Sequence, residues 1–163
     1  MKSKAVLLAA LCSLAFWTMG AQTLPESVLE DAAGKAVKTS ALTDGKTPFA
    51  ITFWASWCEP CKKELAALTE AAPDWEGKFP MRIYAICVDD VRSIQRAKSL
   101  AHTGGWPVTV LYDKNSDLAR TLGVSSIPHV FVFDKNGKQV FTHMGYIPGD
   151  EETLMEQLLK AGK

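Results

Sequence analysis

Two cysteines three positions apart stand out as the residues able to do chemistry. They lie in Trp57-Cys58-Glu59-Pro60-Cys61-Lys62-Lys63-Glu64-Leu65. A thiol pair at this spacing can close into a disulfide and trade it with another molecule's sulfurs. The attacking species is the thiolate, so the surroundings that stabilise negative sulfur decide its reactivity. Before the pair runs Phe49–Trp54, short, apolar and rich in β-formers, which reads as a buried strand. After it the spacing predicts a helix from about Cys61 to Ala72, stopped by Pro73. A helix N-terminus offers unpaired N–H groups and partial positive charge. Cys58 sits at that end and is expected to attack a partner disulfide. Cys61, Leu65, Leu68 and Ala72 share one apolar helix face, so Cys61 is the more buried sulfur and is expected to resolve the mixed disulfide. Pro60 suits the first turn, where a missing N–H costs nothing.

The helix sets a limit on this activation. A helix terminus stabilises a nearby charge by ~0.3–1 kcal/mol, and by up to ~2 kcal/mol when partly buried. At about 1.4 kcal/mol per pKa unit, the thiol pKa falls by at most roughly 1.5 units from ~8.5. Glu59 opposes the shift, while Lys62 and Lys63 assist it. A moderately stabilised thiolate favours a reductant over a strong oxidant. A zinc site would need two more ligands, and His102, His129, His143 and Cys87 show no paired ligand spacing.

The elements that must hold this pair are readable along the chain. Val28–Glu30 and Ala36–Thr39 flank a turn at Gly34 and suggest a small hairpin. Arg82–Val88 and Val108–Tyr112 read as strands, and Ile94–His102 as a helix ending at Gly104-Gly105. Ser116–Leu122 makes a short helix with Gly123 as its stop. His129–Phe133 and Gln139–His143 are strands joined by Asp134-Lys135-Asn136-Gly137, a hairpin signal. Glu151–Ala161 closes as a helix with Leu154, Leu158 and Ala161 on one face. Alternation followed by a hairpin and a terminal helix gives an α/β sheet with helices on both faces.

Composition narrows the classes. The 163 residues suit a single domain and a short leader, with 47% hydrophobic residues and zero formal net charge. No basic excess marks a nucleic-acid binder. Lys2 and Lys4, the apolar run Ala5–Trp17 and the small residues Gly20 and Ala21 read as a secretory signal peptide over residues 1–21. The folded domain is then expected over 24–163. No charge appears from Ala5 to Leu24, about a bilayer's thickness, so an uncleaved anchor fits the same segment. Both readings place the domain outside the cytoplasm, in the periplasm or an equivalent space. Cleavage would leave Cys58, Cys61 and Cys87, an odd count that argues for working cysteines over a stapled framework.

The stretch Phe53-Trp54-Ala55-Ser56-Trp57-Cys58-Glu59-Pro60-Cys61-Lys62-Lys63-Glu64-Leu65 resembles the active-site segment of the TlpA/ResA-like thioredoxin family. The resemblance extends from about Val28 to Ala161 and takes in Gly123-Val124-Ser125-Ser126-Ile127-Pro128. It implies a thioredoxin-like fold, a central mixed sheet flanked by helices with an N-terminal β-hairpin extension. It implies that Pro128 is a cis-proline facing the cysteines and that the backbone at Ile127 pairs with substrate. Trp57 matches the tryptophan of the docking surface, so Trp57, Pro60, Ile127 and Pro128 are the substrate-binding candidates. Glu64 matches an acidic residue near the site. At the edge of the apolar helix face it fits a half-buried proton acceptor, or equally a solvated glutamate. Thr52 stands where thioredoxin itself carries an acid, and His129 where a threonine is common.

The resemblance implies a thiol–disulfide oxidoreductase that reduces protein disulfides and draws electrons from a membrane thiol reductase. Its thiols carry the electrons, so no cofactor or metal is called for. A disulfide oxidant or isomerase would use the same residues, and a metal-binding carrier would use Cys58, Cys61 and a histidine such as His129. The peroxiredoxin pattern P-x-x-x-T-x-x-C fails, because Ile51 and Ala55 stand at its Pro and Thr positions.

Overall fold

The computed structural model describes residues 22–77, 80 and 82–163. The leader or anchor expected over 1–21 lies outside the described residues. The remaining elements are β1 (Val28–Glu30), β2 (Ala36–Lys38), a 3-10 turn (Thr39–Leu42), β3 (Phe49–Trp54), α1 (Glu59–Trp75), β4 (Ile83–Cys87), α2 (Ile94–Gly104), β5 (Thr109–Tyr112), α3 (Asp117–Thr121), β6 (His129–Phe133), β7 (Gln139–Met144) and α4 (Asp150–Ala161). Among the described residues no helix is long and apolar enough to cross a membrane.

The strands form one mixed sheet in the order β2-β1-β5-β4-β3-β6-β7. β3 runs parallel to β4, and β4 to β5, while β6 pairs antiparallel with β3 and with β7. The N-terminal hairpin adds to the sheet through an antiparallel contact of Glu30 with Tyr112. β3 is an interior strand between β4 and β6, and all six of its residues are buried. Strand alternation splits them between two cores. Ala50 and Trp54 join Cys61, Leu65 and Leu68 of α1, Ala97 of α2, and Leu154 and Leu158 of α4. Phe49, Ile51 and Phe53 face the other way, onto Leu118 and Leu122 of the α3 segment and Leu42 of the 3-10 turn. Helices therefore cover both faces, as expected from the element order.

α1 departs from the sequence reading at its far end. Pro73 lies inside the helix, which continues to Trp75. Proline removes one N–H bond and crowds the preceding turn, at a cost of about 3 kcal/mol in a helix interior. Trp75 offsets this by burying its indole in the core with 6% of its surface exposed. The last turn closes with the Glu76 N–H donating to the Ala72 carbonyl, 3.1 Å away.

Candidate active site

β3 ends at Trp54, and four residues, Ala55 to Cys58, carry the chain to α1 across the C-terminal edge of the sheet. Cys58 is the N-cap of α1, in an extended conformation. Its Sγ accepts a hydrogen bond from the Cys61 N–H at 3.3 Å. Glu59 and Pro60 form the start of the first turn, so proline's missing donor is one that the helix leaves unpaired anyway. Cys58 and Cys61 are joined in a disulfide with Cα atoms 5.3 Å apart. Cys61 is fully buried and Cys58 is 4% exposed. The order of burial agrees with the helix-face argument, but Cys58 is not an open sulfur. The polypeptide around the tip of α1 covers it, and Trp57 stands out beside it, 65% exposed. The charge opposing the thiolate is also smaller than the sequence suggests. Glu59 is paired with Lys62 at 2.6 Å, and that contact holds its carboxyl below the usual range.

The second wall of the site is the turn before β6. The Ile127–Pro128 bond is cis. The Ile127 carbonyl oxygen lies 3.7 Å from Cys58 Sγ. An open groove beside the disulfide is lined by Trp57, Val88, Ala119, Val124, Ser126 and Ile127. The structure thus brings together Trp57, Cys58, Pro60, Cys61, Ile127 and Pro128 from two separate parts of the chain.

Glu64 is placed one turn after Cys61 on α1, which makes the two side chains neighbours. It is more deeply buried than its expected place at the edge of the apolar face implied, since only 3% of it is exposed. The reason is the sheet: Thr52 of β3 sits directly beneath and donates its hydroxyl to Glu64 Oε2 at 2.6 Å. Burial pushes the Glu64 carboxyl up to about 7, against the Thr52 hydrogen bond, which lowers it, and with help from the negative charge of Asp150. A carboxyl with this value can take up and release a proton near neutrality.

His129 is a buried strand residue. Its ring stacks on Phe131 with centroids 4.3 Å apart, and Nε2 pairs with Thr142 Oγ1 at 2.9 Å. Desolvation, then the neighbouring His143, lower its pKa. Among the described residues no cluster of three or more metal-ligating side chains is present.

One residue that the sequence reading passed over shapes the loop before Cys58. Asp89 follows β4 and is 1% exposed. Its Oδ2 accepts the Ser56 N–H at 2.6 Å, and its Oδ1 accepts the Ser56 hydroxyl at 2.7 Å. Burial raises its pKa, but the bonds from Ser56, together with those from Cys87 and Ser93, outweigh it, and the carboxyl is held low. The signal available in sequence was an acid directly after an apolar strand, where a parallel sheet gathers functional loops. Cys87 donates its thiol to the same Oδ2 at 3.2 Å and is fully buried. Desolvation drives its pKa far above the usual thiol range.

A family model described as the AhpC/TSA family matches residues 21–140. The chain belongs to the AhpC/TSA family. This member is 32% identical over 116 residues to the thiol-disulfide oxidoreductase ResA of Bacillus anthracis, across 71% of this chain and 64% of that protein. ResA of Bacillus subtilis is 30% identical over 116 residues, across 71% and 62%. The chain therefore spans a little under two thirds of the length of these relatives. A thioredoxin-like protein from Porphyromonas gingivalis superposes with a TM-score of 0.73 at 38% identity, covering 85% of this chain and 90% of that one. A putative thiol:disulfide interchange protein DsbE from Chlorobium tepidum gives 0.71 at 29% identity, covering 88% and 98%. The TlpA/ResA-like thioredoxin family and its fold, expected from the active-site stretch, are thus the ones this AhpC/TSA chain shares.

Proposed function

We propose that this protein is an extracytoplasmic thiol–disulfide oxidoreductase that reduces protein disulfides through Cys58 and Cys61. The observation that carries the reading is the disulfide closed at the N-terminus of α1, with Cys58 as the cap and the Ile127 carbonyl beside it. The names of the relatives support the reaction class. In the reduced protein the Cys58 thiolate attacks one sulfur of a partner disulfide. A mixed disulfide forms and one partner thiolate leaves. Cys61 gives its proton to the Glu64 carboxylate, attacks Cys58 Sγ and releases the second partner thiolate. The electron pair has then passed from the dithiol to the partner. Trp57, Pro60, Ile127 and Pro128 form the surface on which an extended partner segment docks. A membrane thiol reductase returns the Cys58–Cys61 disulfide to the dithiol. The apolar, uncharged stretch ahead of Gln22 supports export, with cleavage near Ala21 or retention as an anchor. The domain from 24 to 163 then works outside the cytoplasm. A reductive direction is supported by the modest activation available from one helix terminus.

The test is insulin reduction by dithiothreitol, with wild type and Cys58→Ser, alongside equilibration of the wild type with glutathione. Acceleration by wild type, its loss in Cys58→Ser and a reducing equilibrium are expected. An inactive wild type with an oxidising equilibrium would overturn the assignment.

A further inference from the structure

Glu64 has a proton to dispose of and a sealed front. On its active-site side stand Cys58, 4% exposed, and Cys61, fully buried. On its other side a hollow with room for about one water molecule lies between α1, β6, β7 and α4. Its polar walls are Glu64, His143, Asp150, Glu151 and Thr153. Exposure rises step by step along these residues. Glu64 is 3% exposed, the Asp150 side chain 19% and the His143 side chain 41%. His143 Nε2 and Asp150 Oδ2 are 3.1 Å apart, and Asp150 Oδ2 is fixed by the Ile147 N–H at 2.8 Å.

We propose that this hollow is the route by which Glu64 exchanges its proton with solvent, with the His143–Asp150 pair as the relay at its mouth. The proposal rests on the proton-acceptor role given to Glu64 above. Cys61–SH passes its proton to the Glu64 carboxylate, and the resulting thiolate attacks Cys58 Sγ. Glu64–COOH then loses the proton through the hollow to Asp150 and His143, and from them to bulk water. The departing partner thiolate takes its own proton from solvent. No electrons travel along this path. The carboxylate is thereby reset without reopening the sulfur side.

The groups facing Glu64 are few. From β3 there is Thr52, from α1 Cys61, and from β6 only the apolar Val130. β7 supplies His143, the turn after it Tyr146, whose hydroxyl pKa the Glu64 charge helps to raise, and α4 supplies Asp150 and Glu151. Glu151 is occupied, since the Tyr146 hydroxyl donates to its Oε2 at 3.2 Å. The negative charge of Asp150 raises the Glu64 pKa, which places the two carboxylates in electrostatic contact across the hollow. Asp150 and His143 are positioning and relay residues. They touch neither sulfur.

The test separates the two sulfur steps. Reduced protein mixed with one equivalent of Ellman's reagent releases one thionitrobenzoate when Cys58 attacks and a second when Cys61 resolves. His143→Ala is expected to leave the first release unchanged and slow the second about tenfold near neutral pH, a part of what positioned proton transfer contributes. Added imidazole should restore it. His143→Gln, which keeps an amide near Asp150 but does not titrate, should slow the second release alike. Asp150→Asn retains an acceptor for the Ile147 N–H and should move the pH midpoint of the second release downward. An unchanged second rate and midpoint in all three variants would overturn the route, as would a slowing that imidazole does not relieve. Loss of insulin reduction in wild type would instead strike the proposed function, so the two failures are distinguishable.

Discussion

Glu64→Gln is the most informative single substitution for the buried carboxyl, because its effect on stability has a sign and a size. The ordinary glutamate value is 4.5, and in the folded protein desolvation raises it to about 7. Between these two values the folded chain keeps a proton that the unfolded chain has lost. Unfolding then releases a proton, so stability falls as pH rises through this window. It is fully present below 4.5 and lost above 7. At about 1.4 kcal/mol per unit, the loss amounts to about 3 kcal/mol. Solvent screening discounts little of this, since Glu64 is only 3% exposed. The amide introduced by Glu64→Gln would remain neutral throughout and still accept the Thr52 hydroxyl. Guanidinium unfolding of the oxidised protein at intervals from about pH 4 to 8 measures the difference between variant and wild type. Carboxylates not coupled to Glu64 titrate alike in both proteins and drop out of that difference. The two should agree near pH 4, and the variant should be more stable by about 3 kcal/mol near pH 8. Parallel curves across the window would show that Glu64 ionises without penalty, and the buried-acceptor reasoning would fail with it.

Asp89→Ala removes the acceptor of both the Ser56 N–H and its hydroxyl, and should cost about 1–3 kcal/mol on thermal unfolding. Insulin reduction should slow as well, because the loop delivering Cys58 loses its tether. Gly104→Ala would set a Cβ 2.6 Å from Trp106 Cε2. The ring must then leave its edge-on contact with Trp54, now at 5.0 Å between centroids, with an expected loss of about 1–3 kcal/mol and a changed near-ultraviolet dichroism.

Much of this architecture was legible because the strong local signals agreed with one another. An apolar β-run, a cysteine pair and a periodic helix in succession placed Cys58 at a helix tip and Cys61 beneath it. Asp134-Lys135-Asn136-Gly137 located the hairpin of β6 and β7. What escaped depended on contacts between distant residues. Pro73 reads as a stop, and only the burial of Trp75 explains why the helix runs past it. Glu64 looked like an edge residue on a helical wheel, because a wheel does not show Thr52 waiting on the strand below. Asp89 went unremarked, although it holds a serine 33 positions earlier in the chain. The shielding of Cys58 likewise comes from chain folded around it, which one-dimensional spacing does not encode.

Cys87 bears on fidelity. A protein with the proposed activity risks swapping sulfur bonds with itself. A third thiol within the same fold would be a ready partner for scrambling, or a handle for crosslinking two copies. Here it is packed out of reach against Asp89, and its proton is held so firmly that little thiolate forms. Among the described residues the proposed exchange would thereby be confined to two sulfurs, with one intramolecular way to end each turnover.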